Sequence, residues 1–358
     1  MTGAAQTKLI GSFVIDEPQP LDDPRLAAIQ AFRVRDESGR RGLAYAAAIA
    51  GRDHVRDRLN RRARIAVPSV AAALESGVSE SAAFVVEAEP TGERLDVLIA
   101  RTGRLIPYDA LAIAAKIASA LSAADLPHGQ LSTALVWIDD DGITLSGFAF
   151  DEPQQGADAA GLACLVFEML SGRRFEPNDF EGPPAVRAER IREALLGIAA
   201  SIANVVSDGT RGALASAAEL LTALDTARAD AIILLADAAN QSLSLKDSTG
   251  AQVFLDAARR YDPSHVAIKN VEARLASGVE QALLPTAGRA APPQAPAFDH
   301  DYEPGSDQAL FLERLRASVP EPTASRTSKP LPWAAIAAGA VGVFAILTVI
   351  VVVIAYSR

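Results

Sequence analysis

The sequence holds few of the residues that build disulfides and metal sites. Among its 358 residues there are four histidines and one cysteine, Cys164, which lies inside an apolar run. A single thiol cannot form a disulfide within the chain, and cysteine and histidine nowhere cluster at the spacing of metal ligands. We therefore predict no metal site and no cofactor, and we expect Cys164 to pack in the core.

Aromatic residues are also scarce, and acidic residues outnumber basic ones. The chain is 5% aromatic and 49% hydrophobic, and its formal net charge is −10. This acidity argues against non-specific binding to nucleic acid, so we predict no nucleic-acid partner. The alanine-rich apolar content is typical of a helix-dominated protein, and the length favours two units over one.

The two ends of the chain differ in character. Met1–Lys8 is polar and no apolar segment follows it, so we expect no signal peptide. Trp333–Tyr356 is uncharged, and a helix of this length, rising about 1.5 Å per residue, spans the roughly 30 Å core of a bilayer. Trp333 and Tyr356 lie at its ends, as interfacial aromatic residues do. The sequence therefore predicts a single-pass membrane helix over 333–356.

Charges beside this helix predict its orientation. Only Arg358 follows it, whereas four basic residues precede it, namely Arg314, Arg316, Arg326 and Lys329. By the positive-inside rule we expect the rest of the chain on the cytoplasmic side, as in a tail-anchored protein. The spacing of Ala335 with Gly339, and of Ala338 with Gly342, permits close helix approach and raises the hypothesis of self-association. Small residues are common in any alanine-rich span, which is the simpler explanation.

Strands and helices are unevenly distributed along the rest of the chain. Before residue 90, turn residues separate short apolar runs, which predicts strands at Lys8–Ile15, Phe32–Arg35, Gly42–Ala46, Pro68–Leu74 and Ala82–Glu87, with a turn at Glu75–Gly77. Afterwards the apolar spacing predicts helices at Gly92–Gly103, Pro107–Ala124, Ala185–Val206 and Ala213–Ala227. The pattern indicates an α+β fold over 1–228, with a small sheet-rich lobe and a larger helical lobe.

Three further segments follow this predicted domain. Asp230–Ala239 and Gln252–Ala276 indicate a separate helical hairpin within 229–284, similar to one tetratricopeptide unit. Proline, alanine, serine and threonine dominate 285–332, which also carries an acidic patch at Asp299–Glu303. We expect a flexible linker there, leading to the membrane helix.

One predicted helix, Arg52–Arg64, is rich in arginine. Its six arginines are Arg52, Arg56, Arg58, Arg61, Arg62 and Arg64. Such a helix can contact anionic lipid or an acidic partner protein. An ordinary solvated helix face accounts for the same charges, and the sequence leaves both interpretations open.

The most specific pattern lies in Leu126–Phe175. It begins with His128-Gly129-Gln130 and continues through a hairpin-like segment at Leu135–Phe148, whose polar turn Asp139–Gly142 is a strong hairpin signal. Asp158 then begins a long apolar helix that ends near Gly172.

These motifs resemble, in order, the C-terminal lobe of bacterial serine/threonine protein kinases. His128-Gly129-Gln130 stands where the family has its His-Arg-Asp loop, Gly147-Phe148-Ala149 stands for Asp-Phe-Gly, and Asp158–Gly172 matches the central hydrophobic helix. Upstream, Gly42–Ala46 falls where the family has Val-Ala-Ile-Lys. The resemblance implies a two-lobed protein-kinase-like domain in which certain residues keep structural positions, namely His128, Phe148, Asp158 and Gly172. It also implies that Asp158 braces the catalytic loop.

The same resemblance implies that the catalytic groups are missing. Ala46 stands in place of the lysine that holds the phosphates, and the arginine-rich helix offers no glutamate to pair with such a lysine. Gln130 replaces the catalytic aspartate, Leu135 the metal-binding asparagine and Gly147 the metal-binding aspartate. Mg²⁺ favours carboxylate oxygens, so without them it has no anchor.

Two loops depart from the family pattern as well. Only Gly11 occurs between Lys8 and Arg35, where a glycine-rich loop is expected to cover the phosphates. The link Ala149–Ala157 is too short for a normal activation segment and lacks an Ala-Pro-Glu motif.

The sequence supports three functional hypotheses. The favoured one is a pseudokinase at the cytoplasmic face of a bacterial inner membrane that scaffolds or regulates protein partners in signalling. The second is a membrane-anchored interaction protein without a kinase fold. The third is an atypical ATP-binding enzyme that uses displaced groups among His128, Glu87 and Asp139–Asp141.

Overall fold

The computed structural model describes residues 9–49, 53–79, 81–140, 142–150 and 152–283. The predicted linker 285–332, the membrane helix 333–356 with its small-residue pairs, and Arg52 lie outside these ranges. Within these ranges, every helix is too short or too polar to cross a membrane.

A six-stranded antiparallel sheet forms the first lobe. Its strands follow the order β1-β2-β3-β4-β6-β5. They are β1 Leu9–Ile10, β2 Phe13–Pro18, β3 Ile29–Arg35, β4 Arg41–Ala48, β5 Ala73–Val78 and β6 Ala82–Ala88. The strands predicted at Phe32–Arg35 and Gly42–Ala46 are confirmed within β3 and β4, which pair with Val34 opposite Gly42.

The sheet curls until its two edges meet. Ser12, in the turn after β1, donates from its backbone N–H to Glu75 Oε2 of β5 over 3.0 Å, although these strands are opposite edges of the sheet. The curled interior holds an apolar cluster whose members include Phe13, Val34 and Val86. Because side chains alternate along a strand, the other face of β4 is turned toward the second lobe.

The predicted strand at Pro68–Leu74 and the turn at Glu75–Gly77 are wrong in position. β5 runs through these turn residues, and the chain reverses only after Val78, where the Ser79 N–H donates to the Ala82 carbonyl over 2.7 Å. A Cβ on Gly77 would lie 2.3 Å from the Phe84 ring. The glycine therefore admits an aromatic neighbour and does not mark a turn.

Helix α1, Asp53–Arg62, crosses beneath the sheet and buries Val55 and Leu59. A second, three-stranded sheet comes next, made of β7 Glu93–Arg94, β8 Val136–Ile138 and β9 Ile143–Leu145. β8 and β9 pair as a hairpin with Trp137 opposite Thr144, which confirms the hairpin predicted in this stretch.

The second lobe is helical. It contains α2 Leu95–Thr102, α3 Pro107–Ala124, α4 Ala157–Ser171, α5 Pro184–Ala194, α6 Ala200–Thr210, α7 Ala217–Ser244, α8 Ser248–Arg259 and α9 Val266–Leu283. The prediction for α3 is confirmed to the residue, because Pro107 suits the first helical turn. The helices predicted within Ala185–Val206 are confirmed as two, α5 and α6, and the chain breaks between them at Gly197 with φ 87°.

The helices after residue 228 do not form a separate piece. α7 is continuous across the predicted boundary at 228 and 229. Tyr261, which comes after α8, accepts a hydrogen bond from the Ala199 N–H over 2.8 Å, and the Tyr108 N–H at the start of α3 donates to the Arg260 carbonyl over 2.9 Å. Arg228 and Asp230, at the predicted boundary, both lie within α7, which buries Ala227 and Ala231 on its packed face.

This packing predicts that Tyr261 stabilises the whole helical lobe. We expect Tyr261→Phe to lower the free energy of unfolding by about 1–3 kcal/mol, because the buried Ala199 N–H then loses its acceptor. The measurement is urea unfolding of the full chain in detergent. Tyr108→Phe is the matched control: Tyr108 is 41% exposed, and its loss should change stability by less than about 0.5 kcal/mol. An unchanged midpoint for Tyr261→Phe would contradict the packing.

Candidate functional site: the cleft between the lobes

The candidate site lies where β4, β6 and α1 of the first lobe face the segment around His128 and the residues after β9. The central helix α4 supports it from below. Asp158, in the first turn of α4, accepts hydrogen bonds from the His128 N–H over 2.9 Å and the Gly129 N–H over 2.7 Å. Gly172 ends the same helix in a left-handed conformation, with φ 72°. The loop that resembles a catalytic loop is thus attached to a rigid helix.

His128 is a buried, uncharged part of this frame. Its ring Nε2 lies 2.9 Å from the Ser146 carbonyl oxygen, and its centroid is 4.4 Å from that of Phe148. Burial lowers the pKa of His128 to about 4, against the opposing effect of Asp158. The imidazole is therefore neutral near pH 7, and it is fixed between two loops.

A buried ion pair links α1 to the strand that enters the cleft. Arg62 Nη2 lies 2.8 Å from Glu87 Oε1, and the Gly147 N–H donates to the other carboxylate oxygen over 3.0 Å. Burial raises the pKa of Glu87, while Arg62 acts in the opposite direction. The guanidinium also lies over the Phe148 ring at 4.8 Å. Glu87, one of the displaced groups considered for catalysis, is therefore already paired.

Two of the six arginines predicted for anionic contacts do not reach the surface. Arg58 and Arg62 are each only 2% exposed. Arg58 donates to the carbonyl oxygens of Ala149 and Pro127, each over 2.5 Å, and so ties α1 to both loops of the cleft. The sequence did contain a signal: Arg62 lies three residues after Leu59, on the face of α1 that packs inward. Arg56, Arg61 and Arg64 are exposed.

Ala46, the residue at the predicted lysine position, and its neighbour Tyr45 lie on opposite faces of β4. Ala46 faces the curled interior of the sheet, in the cluster that contains Phe13. Its neighbour Tyr45 points into the cleft, where its hydroxyl donates to Ser146 Oγ over 2.9 Å. Because strand residues alternate between faces, a shift of one residue exchanges the two sides.

Of the other predicted positions, Leu135 and Gly147 carry no polar side-chain group, and Gln130 carries an amide in place of a carboxylate. Leu135 is fully buried. Gly147 has φ 69°, and a Cβ at this position would lie 2.7 Å from Leu135 Cδ2. Gln130 is half-buried, and its side-chain oxygen has no hydrogen-bond partner. There is consequently no room at residue 147 for an aspartate side chain while Leu135 keeps its place.

The loop between β2 and β3 enters the cleft and was not predicted to do so. It forms a short 3-10 helix, Pro24–Leu26, capped by the Asp23 side chain. Arg25 Nη2 lies 2.7 Å from Asp23 Oδ2 and 2.7 Å from Glu168 Oε1 of α4. Ser132 Oγ donates to Asp23 over 2.5 Å, and Thr133 Oγ1 donates to Glu168 over 2.9 Å. We call this network of five side chains the Arg25 latch.

The charges of the latch are set by burial and by Arg25 together. Burial favours a neutral Asp23, but the hydrogen bonds from Arg25 and Ser132 outweigh it and lower the pKa of Asp23. Burial raises the pKa of Glu168, although Arg25 opposes that shift. Both carboxylates lie against one guanidinium, so neither is free to bind a cation.

Buried apolar side chains from both lobes pack together in the cleft beside the latch. Leu26, beside the latch, belongs to one buried cluster with Tyr45, Leu135, Trp137 and Phe150. These residues come from both lobes, so the cluster joins the lobes across the cleft. A nucleotide and Mg²⁺, which a kinase-like fold would imply, do not fit this arrangement, because the space is apolar and the nearby carboxylates are paired with arginine. In the described part of the chain, histidine, cysteine and carboxylate side chains do not gather in a group of three or more that could bind a metal ion.

The latch predicts a large cost for removing its only cation. Arg25→Ala leaves two buried carboxylates facing each other, so we expect the free energy of unfolding to fall by about 3–5 kcal/mol at neutral pH. Arg33→Ala removes an exposed pair with Glu17 and is the matched control, with an expected loss below about 1 kcal/mol. Urea unfolding of the full chain measures both, and equal losses would contradict the latch.

Comparison with known proteins gives only remote likeness. The chain matches no protein-family profile and no curated protein sequence. A point mutant of the PknI kinase domain of Mycobacterium tuberculosis has 18% identity and a TM-score of 0.47, over 63% of this chain and 99% of that one. Rad53 in complex with AMP-PNP has 15% identity and a TM-score of 0.46, over 60% of this chain and 65% of that one. The pseudokinase domain of BIR2, an immune regulator of the RLK/Pelle family, has 14% identity and a TM-score of 0.41, over 56% of this chain and 78% of that one. Likeness at this level carries no argument about function, which has to be inferred from the contacts within the chain itself.

Proposed function

We propose that this protein is a catalytically inactive, kinase-like binding module that is tethered to the cytoplasmic face of a membrane. The observation that carries the proposal is the filled cleft: the Arg25 latch and the apolar cluster around Tyr45 occupy the space between the lobes. A protein that retains this frame without room for a substrate is suited to presenting surfaces to partners.

The order and contacts of the elements support the kinase-like part of the proposal. A curled antiparallel sheet carries one helix, α1, and the helical lobe is built on a buried central helix, α4. Asp158 of α4 holds the backbone of the segment that resembles the catalytic loop. The hairpin β8–β9 then leads to Gly147 and Phe148, which contact Glu87 and His128 respectively.

The chemistry of the cleft supports the inactive part. Phosphoryl transfer depends on positioned cations and on carboxylates that hold Mg²⁺. In this cleft, Tyr45 occupies the inward position on β4, and the buried acids Glu87 and Glu168 are each bound by an arginine. An atypical ATP-binding enzyme would need these groups released. Of the remaining candidates, Asp139 and Asp140 lie between β8 and β9, where Asp139 accepts a hydrogen bond from the Thr91 hydroxyl over 2.6 Å, and Asp141 lies outside the described residues.

The membrane tether rests on the sequence of 333–356, with its uncharged length, terminal aromatic residues and preceding basic residues. Its small-residue pairs add the proposal of self-association within the bilayer. A generic anchored interaction protein is the second candidate. This second candidate has the same membrane tether, but it does not explain why Asp158 accepts hydrogen bonds from the backbone at His128 and Gly129.

Inactivity predicts that nucleotide leaves the protein unchanged. We expect no shift in the melting temperature of the purified full chain with ATP, with or without Mg²⁺, and no transfer of phosphate to the chain or to a generic substrate protein. An active serine/threonine kinase treated in parallel is the control. Mg²⁺-dependent binding or measurable phosphoryl transfer would overturn this part of the proposal.

The tether predicts where the protein is found after cell fractionation. Deleting 333–356 should move the protein from the membrane pellet to the supernatant, because no other predicted apolar segment is long enough to span a bilayer. Replacing the segment with an unrelated single-span helix is the control and should return the protein to the membrane pellet. Retention of the deleted chain in a carbonate-washed pellet would refute the tether as the anchor.

A further inference from the structure

A concave site with arginines at its edge lies on the surface between α1 and α3. It is a cavity of about 290 Å³, formed where the C-terminal ends of these helices approach each other. Arg61 and Arg64 line one side, and apolar side chains of Ile65, Val67 and Leu126 contribute to its walls. We call it the α1–α3 cavity. It lies outside the filled cleft and takes no part in the contacts of the latch.

The two arginines that line this cavity differ in how they are paired with acidic residues. Arg64 is exposed and has no ion pair with any residue in the described part of the chain. Arg61 is half exposed, and its Nη1 lies 3.8 Å from Glu152, at the outer limit of an ion pair. Asp125, which also lines the cavity, ends α3 in a left-handed conformation. Asp125 and the helix C-terminal ends are negative, so a ligand is expected to place its carboxylates beside Arg61 and Arg64 and away from them.

One segment of this chain has the matching chemistry. Phe298–Glu303 reads Phe-Asp-His-Asp-Tyr-Glu, so aromatic residues alternate with three carboxylates. The chain from Leu283, where α9 ends, to Phe298 can extend roughly 50 Å. The radius of gyration expected for a compact unit of this size is about 19 Å, so the extended linker can span a distance comparable to the size of the folded unit.

We propose that Phe298–Glu303 docks in the α1–α3 cavity of the same molecule. Its carboxylates pair with Arg61 and Arg64, and an aromatic ring packs against Ile65, Val67 and Leu126. Docking uses up part of the linker, so the folded lobes are held nearer to the start of the membrane helix. A partner that competes for the cavity releases the linker and lets the lobes extend from the membrane. This inference concerns the linker alone and stands whether or not the cleft binds nucleotide.

An anionic membrane surface is the main alternative ligand, and the structure favours it less. The exposed part of α1 carries Asp53 and Asp57 among its arginines, and Arg58 and Arg62 are buried. Polybasic segments that bind membranes usually bring four to eight cations to one surface. A recessed site with apolar walls also fits a side chain better than a flat bilayer.

Cross-linking within the full chain tests the proposal. Ala66, which is exposed and lines the cavity, and Ser306, just beyond the segment, are replaced as Ala66→Cys and Ser306→Cys. The native Cys164 is buried and does not compete. The protein is placed in phosphatidylcholine nanodiscs with one chain per disc, and disulfide formation is followed by gel mobility. We expect an intramolecular disulfide that forms more slowly as the salt concentration rises.

Charge reversal provides the decisive comparison. Arg64→Glu should slow the cross-link about three- to tenfold, because it removes one ion pair and adds repulsion. Arg56→Glu, at an exposed arginine of α1 that does not line the cavity, should leave the rate unchanged. Adding Glu303→Arg to Arg64→Glu restores an opposite-charge pair and should recover most of the cross-linking rate. If Arg64→Glu acted by disturbing the fold, the second substitution would not recover that rate.

Other outcomes overturn the proposal. Equal rates in Arg64→Glu and the parent, or equal slowing by Arg56→Glu, would show that the cavity does not bind the segment. A cross-link that joins two chains when discs hold more than one, with none inside single chains, would assign the site to a second copy. Loss of the cross-link when phosphatidylserine is added, with Arg64→Glu then reducing binding of the lobes to anionic vesicles, would assign it to lipid.

Discussion

The arrangement of the two lobes depends on the latch in which Arg25 lies between Asp23 and Glu168. Two carboxylates buried this closely would repel each other and suffer a large desolvation penalty without the guanidinium between them. The hydroxyls of Ser132 and Thr133 satisfy further lone pairs of these acids. Since Asp23 and Arg25 come from the sheet lobe and Glu168 from α4, the network can be satisfied only when the lobes are closed on each other.

The second buried pair obeys the same physical rule. Glu87 accepts hydrogen bonds from Arg62 and from the backbone of Gly147, so a strand, a helix and the loop after β9 share one carboxylate. In both networks arginine neutralises the acid from within the protein. A site organised in this way leaves neither Glu87 nor Glu168 free to bind an external cation, and the proposed inactivity rests on this pairing.

The helices after residue 228 extend this frame. α7 continues without a break through Ala227 and Ala231, both buried in the core of the helical lobe. The Tyr261 hydroxyl accepts the Ala199 N–H, at a break between two helices where a backbone donor would otherwise lack a partner. The segment predicted as an independent hairpin is therefore part of the scaffold that supports α4.

Several features were predicted from local patterns because they depend on neighbours in the chain. The bounds of α3, the β8–β9 hairpin and the long helix after Asp158 result from apolar spacing, turn residues and helix ends. The absence of a catalytic aspartate at Gln130, and of side chains that bind metal at Leu135 and Gly147, was likewise evident from the sequence.

Tertiary structure decided the features that depend on distant contacts. Arg25 and Glu168 are 143 positions apart, so no local pattern could indicate that the β2–β3 loop enters the cleft. Whether Ala46 or Tyr45 faces the cleft depended on which face of a curled sheet meets the helical lobe, and alternation alone gives two equal answers. Arg58 and Arg62 read as surface charges until the carbonyl oxygens of Ala149 and Pro127 and the carboxylate of Glu87 are placed beside them. The sequence by itself determined that Gln130, Leu135 and Gly147 stand where the protein-kinase family has carboxylate or amide side chains. Only the folded chain decided that arginines pair with the buried acids of the cleft.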